Sequence, residues 1–484
     1  MKAIHIAWFR QDLRIDDNPM LANACAAGQP VLPVYIHAPQ EAGDWPPGGA
    51  TRWWLHQALQ SLQAELAQSG LPLILRAGDS REQLIDIIRC LADKGLEVTQ
   101  VFTSRLYEPA AVARDQEVKQ ALQAHGVEWV QGNASVLLEP EHLSNQSGQP
   151  YRVFTPFWKQ LRQMPLQAPV AFDRSALQAP PAQPDSLELE QLQFLPKIRW
   201  DSGLAERWDA SLAGARKTLQ NFLAEPVNDY KKTRDLPAVA GTSSLSPYLH
   251  FGQLGPRQVW AATHAARAQE NDGGFTFLSE LAWREFAYHL LHHFPHSDLQ
   301  ALNPRYRDFP WQPDGALLKA WQRGQTGYPL VDAGMRQLWH TGWMHNRVRM
   351  VVASFLVKHL LQPWQEGARW FWDTLVDADL CSNSMGWQWV AGSGADASPY
   401  FRIFNPFGQG EKFDSAGDYV RQWVPELSKL PDTIIHRPWD ASAMELSMAG
   451  VSLGKNYPFP IIDHRVGRER ALAALAAIKN STDV

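Results

Sequence analysis

The chain has 484 residues, 45% apolar and 20% charged, enough to bury the cores of two or three domains and unlike any disordered or collagen-like composition. Lysine and arginine total 45 against 50 acidic residues, a net charge of −5, so any nucleic-acid surface has to be a local patch. Cys25, Cys90 and Cys381 lie far apart without CxxC spacing, which excludes a disulfide framework and leaves no cysteine-rich metal site.

The opening MKAIHIAWFRQDL is charged too early for a signal peptide, and no run of about 18 apolar residues occurs, so a cytoplasmic protein without membrane contact is expected. Residues 3–9 alternate in β-branched and aromatic character and read as a first strand. Thr51 is placed to cap a helix whose apolar stripe is Leu55, Leu59, Leu62 and Leu66. Residues 71–78 read as a buried strand, and Ser80 with Gln83 as a capping box for a helix carrying Leu84, Ile88 and Leu91. Another strand follows at 98–104, Pro109 suits the first turn of the next helix, and 127–130 closes the series. This alternation predicts a doubly wound parallel sheet covered on both faces. RQDLRIDDNP stands where GxGxxG would be, and GxxxxGK[ST] is absent, so this fold alone names no cofactor.

Residues 135–198 are rich in Pro and Gln, lack periodicity, and read as a long connector. After Trp200 the pattern is helical nearly throughout, including 346–361, and this part holds 15 of the 21 tryptophans. The expected class is therefore α/β plus all-α: residues 1–132, a linker over 133–199, and a helical part over 200–484.

In GTSSLSPYLHFG (241–252) short hydroxyls precede Pro247, which reads as ordinary capping or as a phosphate site. Glu280 and Trp283, three apart, share a helical face, as do Asn346 and Met350, four apart. Together they would line a pocket for a flat polar ring; singly, each pair would read as packing. Asp377, Asp379 and Asn383 precede Trp387 and Trp389, and the carboxylates could work chemically or simply pair with Arg347 or Arg349. DYKKTRD (229–235) reads as a solvated basic face.

These segments, with AWFRQDLRIDDNPML (7–21), TGYPLVDAGMRQL (326–338), GWMHNRVRM (342–350), GWQWVAGSGADASPYFRIFNP (386–406), QGEKFD (409–414) and YPFPIIDHRVGRERAL (457–472), resemble the DNA photolyase/cryptochrome family. The likeness is greatest to class I cyclobutane pyrimidine dimer (CPD) photolyases. It implies a Rossmann-like antenna domain and a helical domain holding FAD. Tyr230, Thr242, Ser243, Ser244, Leu245 and Ser246 match the segment around the FAD phosphates, with Ser244 replacing an arginine common in the family. Asp377, Ala378 and Asp379 match the flavin-facing acidic segment, with Arg349 the partner of Asp377, and Asn383 matches the position beside flavin N5. Glu280, Trp283, Asn346, Met350 and Trp389 correspond to the pocket for a flipped-out dimer, whose poor stacking makes flipping cheap. Arg234, Arg284, Arg347, Gln409 and Lys412 correspond to the DNA side, and Trp387, Trp364 and Trp311 to an electron-transfer chain that would otherwise read as core packing.

The implied reaction is light-driven electron donation from FADH⁻ to the dimer in DNA, with the electron returned after the ring splits. Two other functions share the family. A (6-4) photolyase would carry a His pair where Asn346 and Met350 stand, and a signalling cryptochrome is opposed by Asn383 and by the short chain after residue 472. Folate-binding relatives have Asn-Glu where Ala110 and Ala111 stand, so the second, antenna chromophore is left unnamed, and Phe277 replaces a Trp near the adenine. A monomer is expected.

Overall fold

The computed structural model describes residues 1–397 and 401–480; Ser398, Pro399 and Tyr400 of the 386–406 segment and the last four residues lie outside it. Five parallel strands, β1 (Lys2–Phe9), β2 (Val31–His37), β3 (Ile74–Ala77), β4 (Leu96–Ser104) and β5 (Glu128–Gly132), form one sheet in the order β3-β2-β1-β4-β5. The expected strands are all present, 71–78 being shortened to β3. An unanticipated one, β2, reads as a continuous apolar run buried on both faces, interrupted by Pro33. Pro33 pairs with Ala7 of β1, whereas pairing with β3 starts only at Val34, so the proline sits where β2 has a single neighbour.

Two helix starts differ from the sequence reading. The helix Gly49–Gln68 begins before Thr51, which is buried in its first turn. Its cap is tertiary: the Gly49 amide donates to Asp373 Oδ1 at 2.8 Å, and a Cβ at Gly48 would strike the Asp373 backbone. The helix Ser80–Asp93 is capped by Asp79, which accepts from the Glu82 amide, while the Ser80 hydroxyl donates to Glu41 Oε2 at 2.6 Å. The helix Pro109–Ala124 begins at its proline.

The connector is more ordered than its composition implies. It contains the helix Phe154–Leu161, whose Phe154, Phe157, Trp158 and Leu161 are buried against the long helix Asp272–His293. Beyond residue 200 the described residues form helices and turns, with one isolated bridge between Leu453 and Tyr457. The expected helix over 346–361 runs as Asn346–Ser354 and then widens into a π turn, Phe355–His359.

The sheet-bearing and helical parts share a core. Trp54 is fully buried, 5.4 Å from Trp208, 5.1 Å from Tyr248 and 6.0 Å from Phe251, and its Nε1 donates to Gln253. The 241–252 segment is thereby anchored from beneath by aromatic side chains, each removing about 150–250 Å² from water.

Candidate functional site

The hydroxyl-rich segment enters the short helix Ser246–His250 through buried Leu245. Thr242, Ser243 and Ser244 are half-buried, and Ser244 holds a left-handed backbone, φ 52°. The Ser246 hydroxyl donates to Asp377 Oδ2 at 2.6 Å. Asp377 also takes two contacts from Arg349 Nη2, at 3.0 and 2.8 Å, and Arg349 Nε donates to Met344 O at 2.7 Å. The pairing of Asp377 is thus with Arg349; Arg347 turns to Asp235 at 3.0 Å.

Buried Ala378 leads to Asp379, which caps the helix Leu380–Ala391 by accepting from the Ser382 amide at 2.7 Å. The Tyr288 hydroxyl donates to its other oxygen at 2.7 Å, with His250 Nδ1 at 3.5 Å. Burial works against ionisation of this carboxyl, but His250, the Arg284 field and the Ser382 amide hold it below the ordinary carboxylate range. One turn on, Asn383 Nδ2 donates to Ala368 O at 3.1 Å, fixing the amide with its carbonyl oxygen available to accept.

Arg284, expected on the DNA side, is turned inward. Its side chain is 12% exposed and donates to Ser135 O at 2.6 Å and Tyr288 Oη at 3.0 Å, which places its charge near Asp379. Tyr230, 8% exposed, packs edge-on against Phe222 and Phe277.

Glu280 faces Arg234 in a close ion pair, with side chains 26% and 23% exposed. Burial raises the Glu280 carboxyl above its ordinary pKa, and Arg234 pulls against that rise. Within DYKKTRD, Lys231 and Lys232 do lie on the surface, paired with Asp272 and Asp229, whereas Arg234 and Asp235 turn to Glu280 and Arg347. Trp283 stacks at 3.7 Å and 9° on Phe154 of the connector, so one of its faces is already covered. Trp389 is half-buried and donates from Nε1 to Asp396 O at 3.1 Å.

Asn346 is exposed and Met350 half-buried on one helix, capped by His345 Nδ1, which accepts from the Arg347 amide at 3.2 Å. Burial pushes the His345 pKa down to about 4, so this 2% exposed ring is a neutral cap. It is committed to the helix end. On the helix Pro406–Phe413, Gln409 is half-buried with Oε1 unpartnered, and Phe413 lies under Arg347 at 4.4 Å and Lys412 at 5.0 Å. Phe154, Asp235 and Phe413 were missed by sequence reasoning; Phe154 reaches the site from the connector, with no local pattern to flag it, whereas Asp235 and Phe413 stand next to Arg234 and Lys412 in the chain.

Trp387 and Trp364 are buried and Trp311 half-buried in one hydrophobic cluster. Trp387 lies 5.0 Å from Phe371 and 6.2 Å from fully buried Trp321, and its indole occupies the space of a missing Cβ at Gly367. A cavity of about 410 Å³ opens elsewhere, lined by Arg52, His56, Phe194, Lys197 and Trp200 among others, and none of the expected site residues borders it. Among the described residues no cluster of His, Cys, Asp or Glu could hold a metal ion, and no helix is long and apolar enough to cross a membrane.

Residues 277–477 match the family model described as the FAD binding domain of DNA photolyase, and residues 5–181 match that described as DNA photolyase. A deoxyribodipyrimidine photo-lyase from Agrobacterium fabrum is 47% identical over 99% of this chain and 98% of its own length. Cryptochrome-1 of Arabidopsis thaliana is 39% identical over 97% of this chain and 70% of its own length. Among solved structures, a class III photolyase from Agrobacterium tumefaciens superposes with a TM-score of 0.94 at 47% identity, covering 99% and 98% of the two chains.

Proposed function

We propose, for a chain that belongs to the DNA photolyase and cryptochrome family, that it is a deoxyribodipyrimidine photo-lyase repairing CPD lesions in DNA under light. The observation that carries this reading is that two residue sets are borne by or tied to the same three helices, Asp272–His293, Asn346–Ser354 and Leu380–Ala391. One comprises Asp377, Asp379 and Asn383, tied down through Arg349, Tyr288 and Ala368; the other comprises Glu280, Trp283, Asn346, Met350 and Trp389. The helix Asp272–His293 carries Glu280 and Trp283 and, two turns beyond Glu280, delivers Tyr288 to Asp379, while the helix Asn346–Ser354 carries Asn346 and Met350 beside the Arg349 that pairs with Asp377. The class I expectation is not carried forward, since the neighbour at 47% identity is a class III photolyase.

The domain reading places the antenna part at 1–132, the connector at 133–199 and the FAD- and DNA-binding part from 200 onward, supported by confinement of the sheet to β1–β5. FAD is the cofactor of the family domain, and the residues fit it. Hydroxyls line the 242–246 segment, an Asp377–Arg349 pair stands beside them, and Asn383 spends its Nδ2 on Ala368 O, which leaves its carbonyl oxygen to accept from a ring N–H. When bound and reduced, the flavin supplies the electron for ring splitting and recovers it afterwards.

Glu280 holds the pyrimidine edge by hydrogen bonds, and Trp389 with the free face of Trp283 stacks on the flipped bases. Arg234 offsets the Glu280 charge, and Arg347 with Lys412 meets phosphates. Trp387, Trp364 and Trp311 would relay electrons from an external reductant at the surface toward the bound cofactor. With Ala110 and Ala111 in place of the Asn-Glu pair, the antenna, if bound, is held by other groups than those of folate-binding relatives.

Likeness to Cryptochrome-1 favours one second reading, photoreception without repair. Purified, reduced protein given a single-CPD oligonucleotide separates the two. Light-dependent restoration of the pyrimidines is expected, and no repair by protein holding reduced FAD would leave photoreception.

A further inference from the structure

Arg207 ends the helix Ser202–Arg207, and its guanidinium lies 4.5 Å over the ring of Trp208. That ring is itself fixed: Trp208 Nε1 donates to Thr341 O at 2.8 Å, and Trp54 packs edge-on against it at 5.4 Å. From this platform Arg207 Nη2 donates to Ser244 Oγ at 3.2 Å. Among the described residues no carboxylate pairs with Arg207, although the sheet-bearing and helical parts are otherwise laced with Arg–Asp and Arg–Glu contacts. Ser244, its partner, holds φ 52°, a conformation costly for a residue with a Cβ and kept only where its surroundings enforce it.

Arg207 is an exposed residue, so its guanidinium rests on Trp208 and Ser244 while staying open to solvent and to a ligand. A guanidinium stays charged at neutral pH, so a cation held in place by an aromatic ring and a serine hydroxyl stands beside the half-buried hydroxyls of Thr242, Ser243 and Ser244, a set of donors that suits an anion. A guanidinium fork matches phosphate geometry and stacks on aromatic rings, which a lysine ammonium cannot reproduce.

We propose that Arg207 is a diphosphate-binding residue of the flavin dinucleotide site, supplying from a separate helix the cation that position 244 lacks. Ser244 acts as its rest contact, and the strained turn aims both groups at the same phosphate. This inference rests on the FAD reading above.

The test is FAD release from the purified holoprotein, followed by the rise of flavin fluorescence on dilution, with melting temperature recorded in parallel. R207A and R207Q are expected to release FAD about 10- to 100-fold faster, the loss of one charge-assisted contact. R207A/S244R, which returns a cation to the segment, is expected to recover most of the slow release. Release at the wild-type rate from folded R207Q overturns the proposal, as does a lower melting temperature with unchanged release, the mark of a merely structural arginine. Should R207A fail to fold, R207Q and the double variant still decide. Wild-type protein that holds no FAD would overturn the cofactor reading instead, a result distinct from any of these.

Discussion

Replacing Glu280 by alanine separates the role of the pocket carboxylate from that of the cofactor site. In the free protein Glu280 is paired with Arg234, and each side chain keeps about a quarter of its surface in water. Exposed pairs are worth about 0–1 kcal/mol, while breaking a fully buried one costs about 3–5 kcal/mol. At this exposure Glu280→Ala is expected to cost the fold about 1–2 kcal/mol, too little to unfold it. A hydrogen bond to a charged group contributes about 1.5–3 kcal/mol, so preference for dimer-containing over undamaged oligonucleotide is expected to fall about 10- to 100-fold. Flavin content should stay at the wild-type level, because none of the Asp377, Asp379 or Asn383 contacts involves Glu280. Glu280→Gln retains an acceptor and should recover part of the preference while still releasing Arg234. The assay is competition binding with a single-dimer duplex, paired with repair yield per absorbed photon in reduced protein. Undiminished preference and yield in Glu280→Ala would refute the assignment of Glu280 to the lesion.

Trp387→Phe is expected to slow photoreduction of oxidised flavin by about tenfold or more while sparing repair by chemically reduced protein; photoreduction at the wild-type rate would remove Trp387 from the chain. Arg347→Ala should reduce the slope of log binding constant against log salt by about one, as one phosphate contact is lost, and an unchanged slope places Arg347 off the DNA. Glu285, 4% exposed, accepts from the Leu137 amide at 2.7 Å, and burial pushes its pKa up to about 7, against the pull of Arg284. Because the folded protein holds this proton more tightly than the unfolded chain, the contribution is full below about pH 4.5 and is lost as pH rises through about 7. Its size is at most about 3 kcal/mol, and Glu285→Gln should flatten the decline in melting temperature between pH 5 and 8. An identical pH profile in the variant would show that Glu285 is ionised throughout.

What was legible in the sequence was what local periodicity encodes. The stripe Leu55, Leu59, Leu62 and Leu66 is buried as its spacing requires, and Pro109 opens its helix. Glu280 with Trp283, and Asn346 with Met350, share helices as their spacing implies, and Asp377 takes one of the two arginines named for it. What escaped was encoded by contacts across long stretches of chain. The acceptor for Gly49 is 324 residues away, Trp283 is covered by Phe154 from a stretch without periodicity, and Arg284 is drawn inward by Ser135 O and Tyr288. Spacing along one helix predicts which side chains are neighbours but not what approaches them from elsewhere, which is why Arg234 read as a phosphate contact yet rests on Glu280. β2 was hidden for a different reason, Pro33 masking an apolar run that is otherwise continuous.

The cap that Asp373 lends to Gly49 has a bearing on how the protein comes apart. Trp372 Nε1 donates to Pro46 O at 2.7 Å on the same strip, and Trp54 is locked to Gln253 nearby. A sheet-bearing half expressed alone would begin its longest helix with an unpaired amide and expose a whole indole, so it should be poorly soluble. The two halves should instead melt in a single calorimetric transition, and a crossing of chains between relatives at the connector would succeed only where residues 46–54 and 372–373 travel together.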